Sequence, residues 1–212
     1  MENPVMIFGA GFMGRMVKDI LESNGNVVYG FLDDDKKLHR QNLDDVPVLG
    51  STDDDGLLKL IGKKCDAFIA VDDTRLKKSL VKLLNDQRHV QPVNAVHNRA
   101  VLSSRAVLGH GNLVDQGAYI GAGVVIGNHT VIHSGAVISV GTVVSDYAQV
   151  GAGSIINAGV TIQESAFIGS GVTIVAGVTI GKNARVGAGS VVIQSVGEGE
   201  TVFGNPAQTV KP

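Results

Sequence analysis

A six-residue period runs through the second half of this chain and leaves it few folds to choose from. From Arg99 the sequence parses into 16 consecutive hexads, ending at Gln194 without an insertion. The fourth position of every hexad is Leu, Val or Ile, from Leu102 to Val192. The second position is small or β-branched in all but one hexad, where it is Asn112. Every glycine inside the repeat falls at the first or fifth position. A period of six cannot keep one face of a helix apolar. Positions two and four are two residues apart and face the same side of a strand. The flanking glycines supply corners that need positive φ or lack room for a Cβ. Three hexads make one triangular coil, and each strand pairs with the strand 18 residues later. The spacing therefore predicts a parallel β-helix of about five coils, stacked at roughly the 4.8 Å strand-pairing distance.

Charge divides the chain the same way. Residues 1–98 hold 28 of the 38 charged residues and 8 of the 28 glycines. We expect two domains, 1–98 and 99–212. The formal net charge of −2 gives nucleic acid or anionic lipid no basic surface to seek. A single cysteine, Cys65, allows no intrachain disulfide and no cysteine metal cluster. The start, Met1 to Val5, lacks a basic segment and a signal-type apolar run, and no stretch approaches 18 uninterrupted apolar residues. A cytoplasmic protein with no membrane or nucleic-acid partner is the expectation.

The first half opens with a short apolar strand, Pro4 to Phe8. Gly9-Ala10-Gly11-Phe12-Met13-Gly14 follows, then a helical pattern carrying Met16, Val17, Ile20 and Leu21. A second apolar strand, Val27 to Leu32, ends in Asp33-Asp34-Asp35. This is G-x-G-x-x-G between strand and helix with an acidic residue about 20 positions on, the pattern of a Rossmann phosphate loop. Val46 to Gly50 reads as an edge-like strand, and Cys65 to Val71 as a buried one ending in Asp72-Asp73. Thr74 reads as a helix N-cap for Arg75 to Gln87, with Lys77, Lys78 and Lys82 on a solvated face. Fewer than 100 residues suit one mononucleotide half-site better than a full dinucleotide fold.

A Rossmann-like half joined to hexapeptide repeats resembles the bacterial nucleotide-sugar acetyltransferases, including the sialic acid, bacillosamine and perosamine enzymes. The tail Val202-Phe203-Gly204-Asn205-Pro206-Ala207 resembles that family's ending. The resemblance implies a left-handed β-helix, a homotrimer and acetyl-CoA as co-substrate. It also implies transfer of an acetyl group to an amino or hydroxyl group of a nucleotide-linked sugar, for surface glycan synthesis. Gly9, Gly11, Gly14, Asp33, Asp34 and Asp72 match the positions that would hold the nucleotide sugar. Ala158, Gly177, Gly189 and Gly204 would admit the coenzyme.

Acetyl transfer needs a general base, and the resemblance implies a His-Asp or His-Glu pair. In register with the repeat and tail, that pair falls on Val140-Gly141, and a second family histidine falls on Gln149. The substitute expected here is His133, which falls on a family asparagine position, with Asp115 18 residues earlier on the adjacent coil. A carboxylate about 5 Å from an imidazole could orient it. His110, Asn128 and Asp146 form another 18-spaced column, with His129 beside Asn128. Stacked histidines at a subunit interface could instead hold a metal, though no metal is expected. Ser139, Thr142, Ser145 and Tyr147 read as corner and surface residues. The competing function is a homotrimeric binding or scaffold protein that has lost the base and keeps the nucleotide sugar. A nicotinamide-binding protein is a weaker alternative, since no hydride-transfer site is visible.

Overall fold

A computed structural model describes residues 3–210. Met1, Glu2, Lys211 and Pro212 lie outside it, and with them the first two residues of the segment read for a leader. The chain forms two compact units, Met1–Ala95 and Val96–Pro212.

The first unit is a small α/β sheet. Its elements are β1 (Val5–Phe8), α1 (Phe12–Ser23), β2 (Val28–Leu32), β3 (Asn42–Leu43), β4 (Val46–Gly50), α2 (Asp55–Leu58), β5 (Asp66–Ile69) and α3 (Thr74–Arg88). The sheet order is β3-β4-β2-β1-β5. Strands β5, β1, β2 and β4 are parallel, and β3 turns back on β4 as a two-residue hairpin. Val46–Gly50 is therefore not the edge: Asn42 and Leu43 cover its outer side. All four residues of β1 are buried, as a central parallel strand requires.

Two expectations for α3 need correction. Asp73, not Thr74, is the N-cap, and its carboxylate accepts the Leu76 backbone N–H at 2.8 Å. Lys77 is not on the solvated face: it is 4% exposed. It falls in the stripe of Leu80, Val81 and Leu84, one helical face at i, i+3, i+4 and i+7.

The second unit is a left-handed parallel β-helix. Each hexad contributes a two-residue strand, and parallel pairing joins residues 18 apart. Ile120, for example, pairs with both Leu102 and Ile138. Face one runs from Val101–Leu102 to Val191–Val192, and face two from Val107–Leu108 to Thr179–Ile180. Face three runs from Ala95–Val96 to Arg185–Val186 and continues into the tail hairpin, Thr201–Gly204 with Ala207–Thr209. Fourth-position aliphatics from Val114 to Val192, with second-position residues such as Ala118, Val124 and Ala136, form one continuous core.

Glycine does two different jobs at the corners. First-position glycines such as Gly141 adopt positive φ (+67°) with open space where a Cβ would stand. Fifth-position glycines such as Gly169 have ordinary φ, but a Cβ there would come within 2.6 Å of the Ala188 nitrogen on the next coil. The first job is conformational and the second is spatial.

Candidate functional site

In the first unit, the chain leaves β1 for β2 on one side, while β5 lies on the other. The crevice between the carboxyl ends of β1 and β5 is therefore the point where the connections diverge, the usual ligand position in open α/β sheets. The glycine loop sits there. Gly9 has φ +104°, and a Cβ on it would strike the Ala70 carbonyl. A Cβ on Gly14 would strike the Gly9 carbonyl, so the loop folds tightly over the start of α1. Gly11 is the N-cap of α1 and carries no side-chain cap. The first-turn amides have no intrahelical partners, a standard setting for an anion.

The acidic run after β2 is already engaged with the backbone. Asp33 Oδ2 accepts the Ala10 N–H at 2.8 Å, and Oδ1 accepts the Asp35 N–H at 2.9 Å. Asp34 Oδ1 accepts both the Thr52 N–H and the Thr52 hydroxyl at 2.9 Å. His39 Nε2 contacts the Asp33 carbonyl at 2.7 Å. Asp72 is exposed at the carboxyl end of β5. Gly9, Gly11, Gly14, Asp33 and Asp72 thus border one crevice. Asp34 faces the Gly50–Thr52 turn.

The β-helix presents its predicted site residues at two separate corners. After face three come Asp115-Gln116-Gly117 and His133-Ser134-Gly135, with Gly189 at the end of the same glycine column. Asp115 and His133 directly follow paired strands, Leu113–Val114 against Val131–Ile132. They therefore stack on adjacent coils, and the Asp115 N–H donates to the Ile132 carbonyl at 2.9 Å. Asp115 Oδ1 accepts the Gln116 N–H at 2.7 Å, which turns that oxygen to its own corner.

The second corner follows face one. It stacks Val140-Gly141, Ala158-Gly159 and Ala176-Gly177, linked by Gly159 N–H to Val140 O and Gly177 N–H to Ala158 O, both 3.0 Å. Val140 is exposed and Gly141 offers only backbone. Strand Val137–Ile138 separates His133 from Val140. The candidate coenzyme residues divide accordingly, with Ala158 and Gly177 at the Val140 corner and Gly189 at the His133 corner. Gly204 lies in the tail hairpin with φ +107°.

The third corner brings together residues that the sequence analysis named but gave no role in the acetyl-transfer site. Its left-handed column begins with Gly111 at φ +67° and continues as His129, Tyr147, Ser165 and Asn183, with φ of +56° to +60°. Non-glycine residues hold this conformation at a cost of roughly 1 kcal/mol each. His129 is buried and stacks on Tyr147 with ring centroids 5.1 Å apart. The imidazole also lies over Gly111, where a Cβ would collide with it. Beside this stack, Asn128 Oδ1 accepts the His110 N–H at 2.9 Å, and Asp146 Oδ1 accepts the Asn128 N–H at 2.8 Å. Burial, then the Asp146 and Glu164 carboxylates, push the Tyr147 phenol above its usual range. An open pocket of about 560 Å³ is lined by Val125, Val143, Ser145, Asp146, Tyr147 and Glu164. The signal was the 18-spaced column itself: Gly111 marks a left-handed corner, so His129 and Tyr147 inherit one.

Among the described residues, no group of three His, Cys, Asp or Glu side chains could hold a metal ion. No helix among them is long and apolar enough to cross a membrane.

Comparison with known proteins agrees with both units. The PglD N-terminal domain family matches residues 4–84, and the bacterial transferase hexapeptide family (six repeats) matches residues 105–139 and 159–194. Among curated proteins, none matches the sequence significantly. Solved structures do. One is a histidine-to-alanine variant of GDP-perosamine N-acetyltransferase from Caulobacter crescentus, crystallised with CoA and GDP-perosamine. It is 32% identical, with a TM-score of 0.92 over 99% of this chain and 98% of that one. WeeI from Acinetobacter baumannii AYE is 27% identical, with a TM-score of 0.84 over 98% and 99% of the two chains. The acetyltransferase domain of PglB from Neisseria gonorrhoeae FA1090, in complex with acetyl coenzyme A, shares the fold at 24% identity. Its TM-score is 0.91 over 99% of this chain and 100% of that one. With about a third of its residues identical to the perosamine enzyme over nearly the full length of both, this chain belongs to the family of hexapeptide-repeat sugar N-acetyltransferases.

Proposed function

We propose that this protein transfers the acetyl group of acetyl-CoA to an amino or hydroxyl group of a nucleotide-linked sugar, as a homotrimer in the cytoplasm, for glycan synthesis. The observation that carries the reading is the full-length match to an enzyme crystallised with both CoA and GDP-perosamine. The glycine crevice of the first unit supports it, because it suits a nucleotide diphosphate. In this reading Gly9, Gly11, Gly14, Asp33 and Asp72 bind the nucleotide, and Asp34, assigned to the same role from the sequence, holds the adjoining Gly50–Thr52 turn instead. Ala158, Gly177, Gly189 and Gly204 admit the coenzyme arm.

The reaction joins the acceptor nitrogen or oxygen to the thioester carbonyl carbon and breaks the carbon–sulfur bond. The acceptor must shed a proton, and the departing thiolate must gain one. His133 is the group we assign to that proton, with Asp115 as its orienting partner one coil away. Backbone N–H groups at the glycine corners would stabilise the developing oxyanion. Purified protein given acetyl-CoA and a UDP- or GDP-linked amino sugar should release CoA thiol. Failure with every such acceptor contradicts the catalytic reading.

One observation favours a second reading. The Val140-Gly141 corner carries no ionisable side chain. A binding or scaffold protein that keeps the nucleotide sugar would show ligand-dependent thermal stabilisation without thiol release.

A further inference from the structure

Lys77 is a buried charge that the fold does not need. Its place in the stripe with Leu80, Val81 and Leu84 asks for an apolar side chain, and at 4% exposure it is as buried as Leu80. It makes no ion pair among the described residues. Burial pulls its ammonium down to about 8, opposed by the Asp72 carboxylate through space. An uncompensated buried ammonium works against stability. Such groups cluster where function requires them.

Its position says what the charge faces. Lys77 stands four residues after the N-cap Asp73. Helical side chains lean toward the helix N-terminus, so its stem runs back toward the Val71–Asp73 turn. That turn borders the glycine loop: Val71 Cγ1 is 3.0 Å from where a Gly9 Cβ would stand, and the Ala70 carbonyl is closer still. The turn and the loop are the two lips of the crevice between β1 and β5. On the far lip, Asp33 has both oxygens in backbone hydrogen bonds. The crevice therefore sets the uncapped α1 amides beside a lip whose Asp72 lies within electrostatic reach of the Lys77 ammonium, and amides and ammonium both favour an anion.

We propose that Lys77 supplies the positive charge that meets the diphosphate of the nucleotide held at the Gly9–Gly14 loop. This rests on the nucleotide-sugar reading above and names a binding residue for it. A point charge behind the Val71–Asp73 turn complements the helix amides, which provide direction but only partial charge.

The test is calorimetric titration of the full chain with UDP, GDP, uridine and guanosine, for wild type, Lys77→Met and Lys77→Arg. Wild type should bind one diphosphate more tightly than its nucleoside. Lys77→Met should lose about tenfold or more in diphosphate affinity while nucleoside affinity holds, collapsing the ratio. Lys77→Arg should keep most of the ratio. Unchanged diphosphate affinity in Lys77→Met overturns the assignment, as does an equal fall for diphosphate and nucleoside, which marks a structural role. Wild type that binds neither diphosphate overturns the nucleotide reading itself, and this assignment with it.

Discussion

The Asp33 carboxylate holds the glycine loop from the end of the neighbouring strand: its Oδ2 accepts the backbone N–H of Ala10 at 2.8 Å, 23 positions earlier in the chain. In this fold class an acidic residue at the end of the second strand is usually read as a ligand for the ribose. Here it also latches the loop that would receive the phosphates. Asp33→Ala orphans that N–H, so we expect a stability loss of about 1–2 kcal/mol. Nucleotide affinity should fall about tenfold because the loop is no longer preorganised. Asp33→Asn keeps an accepting oxygen and should retain most of both. Urea denaturation and calorimetric titration check this, and an Asp33→Ala variant unchanged in both contradicts it.

The one irregular second position of the repeat carries a buried polar network. Asn112 is fully buried. Its Oδ1 accepts the Thr130 N–H at 2.8 Å and the Thr130 hydroxyl at 2.9 Å, and its Nδ2 donates to the Gly127 carbonyl at 2.9 Å. Asn112→Ala strands three partners inside the coil. The expected cost is about 2–4 kcal/mol, read as a lower denaturant midpoint with an unchanged slope. A variant within about 0.5 kcal/mol of wild type contradicts the network.

Lys77 fixes a sign for pH dependence. Its ammonium is held at about 8 in the fold against 10.5 ordinarily, so burial is the stronger influence. Below pH 8 both folded and unfolded states carry the charge, and the burial penalty is fully present. Between 8 and 10.5 the folded state sheds its proton first, so this group makes stability rise with pH. Lys77→Met should be more stable than wild type at pH 7, by an amount on the order of 3 kcal/mol. The gap should close as pH approaches 10.5. Denaturation of both proteins at pH 7, 9 and 10.5 tests it, and a gap that widens with pH contradicts it.

The β-helix was legible because each hexad encodes its own pleat and corner. Position four fills the core, and glycine at positions one and five meets two separate demands, seen at Gly141 and Gly169. The third corner was less plain, because only Gly111 at the head of its column marks the left-handed conformation that His129 and Tyr147 then take. Lys77 was misread because a lysine-rich segment suggests a solvated face. The 77, 80, 81, 84 spacing was the better guide. Strand β3 escaped because two residues carry no periodicity. Spacing did bring Asp115 and His133 onto adjacent coils. The same hexad count puts one face between His133 and Val140, since the two stand near the ends of consecutive hexads.

The most direct test of the account is CoA-thiol release from acetyl-CoA, measured with UDP- and GDP-linked amino sugars on wild type and His133→Ala. Wild type should release thiol matched by acetylated sugar, and His133→Ala should fall by about 100-fold or more. Full turnover by His133→Ala contradicts the assigned base. No thiol release from the wild type, with the nucleotide sugar still bound, contradicts the central claim that this chain is a working acetyltransferase.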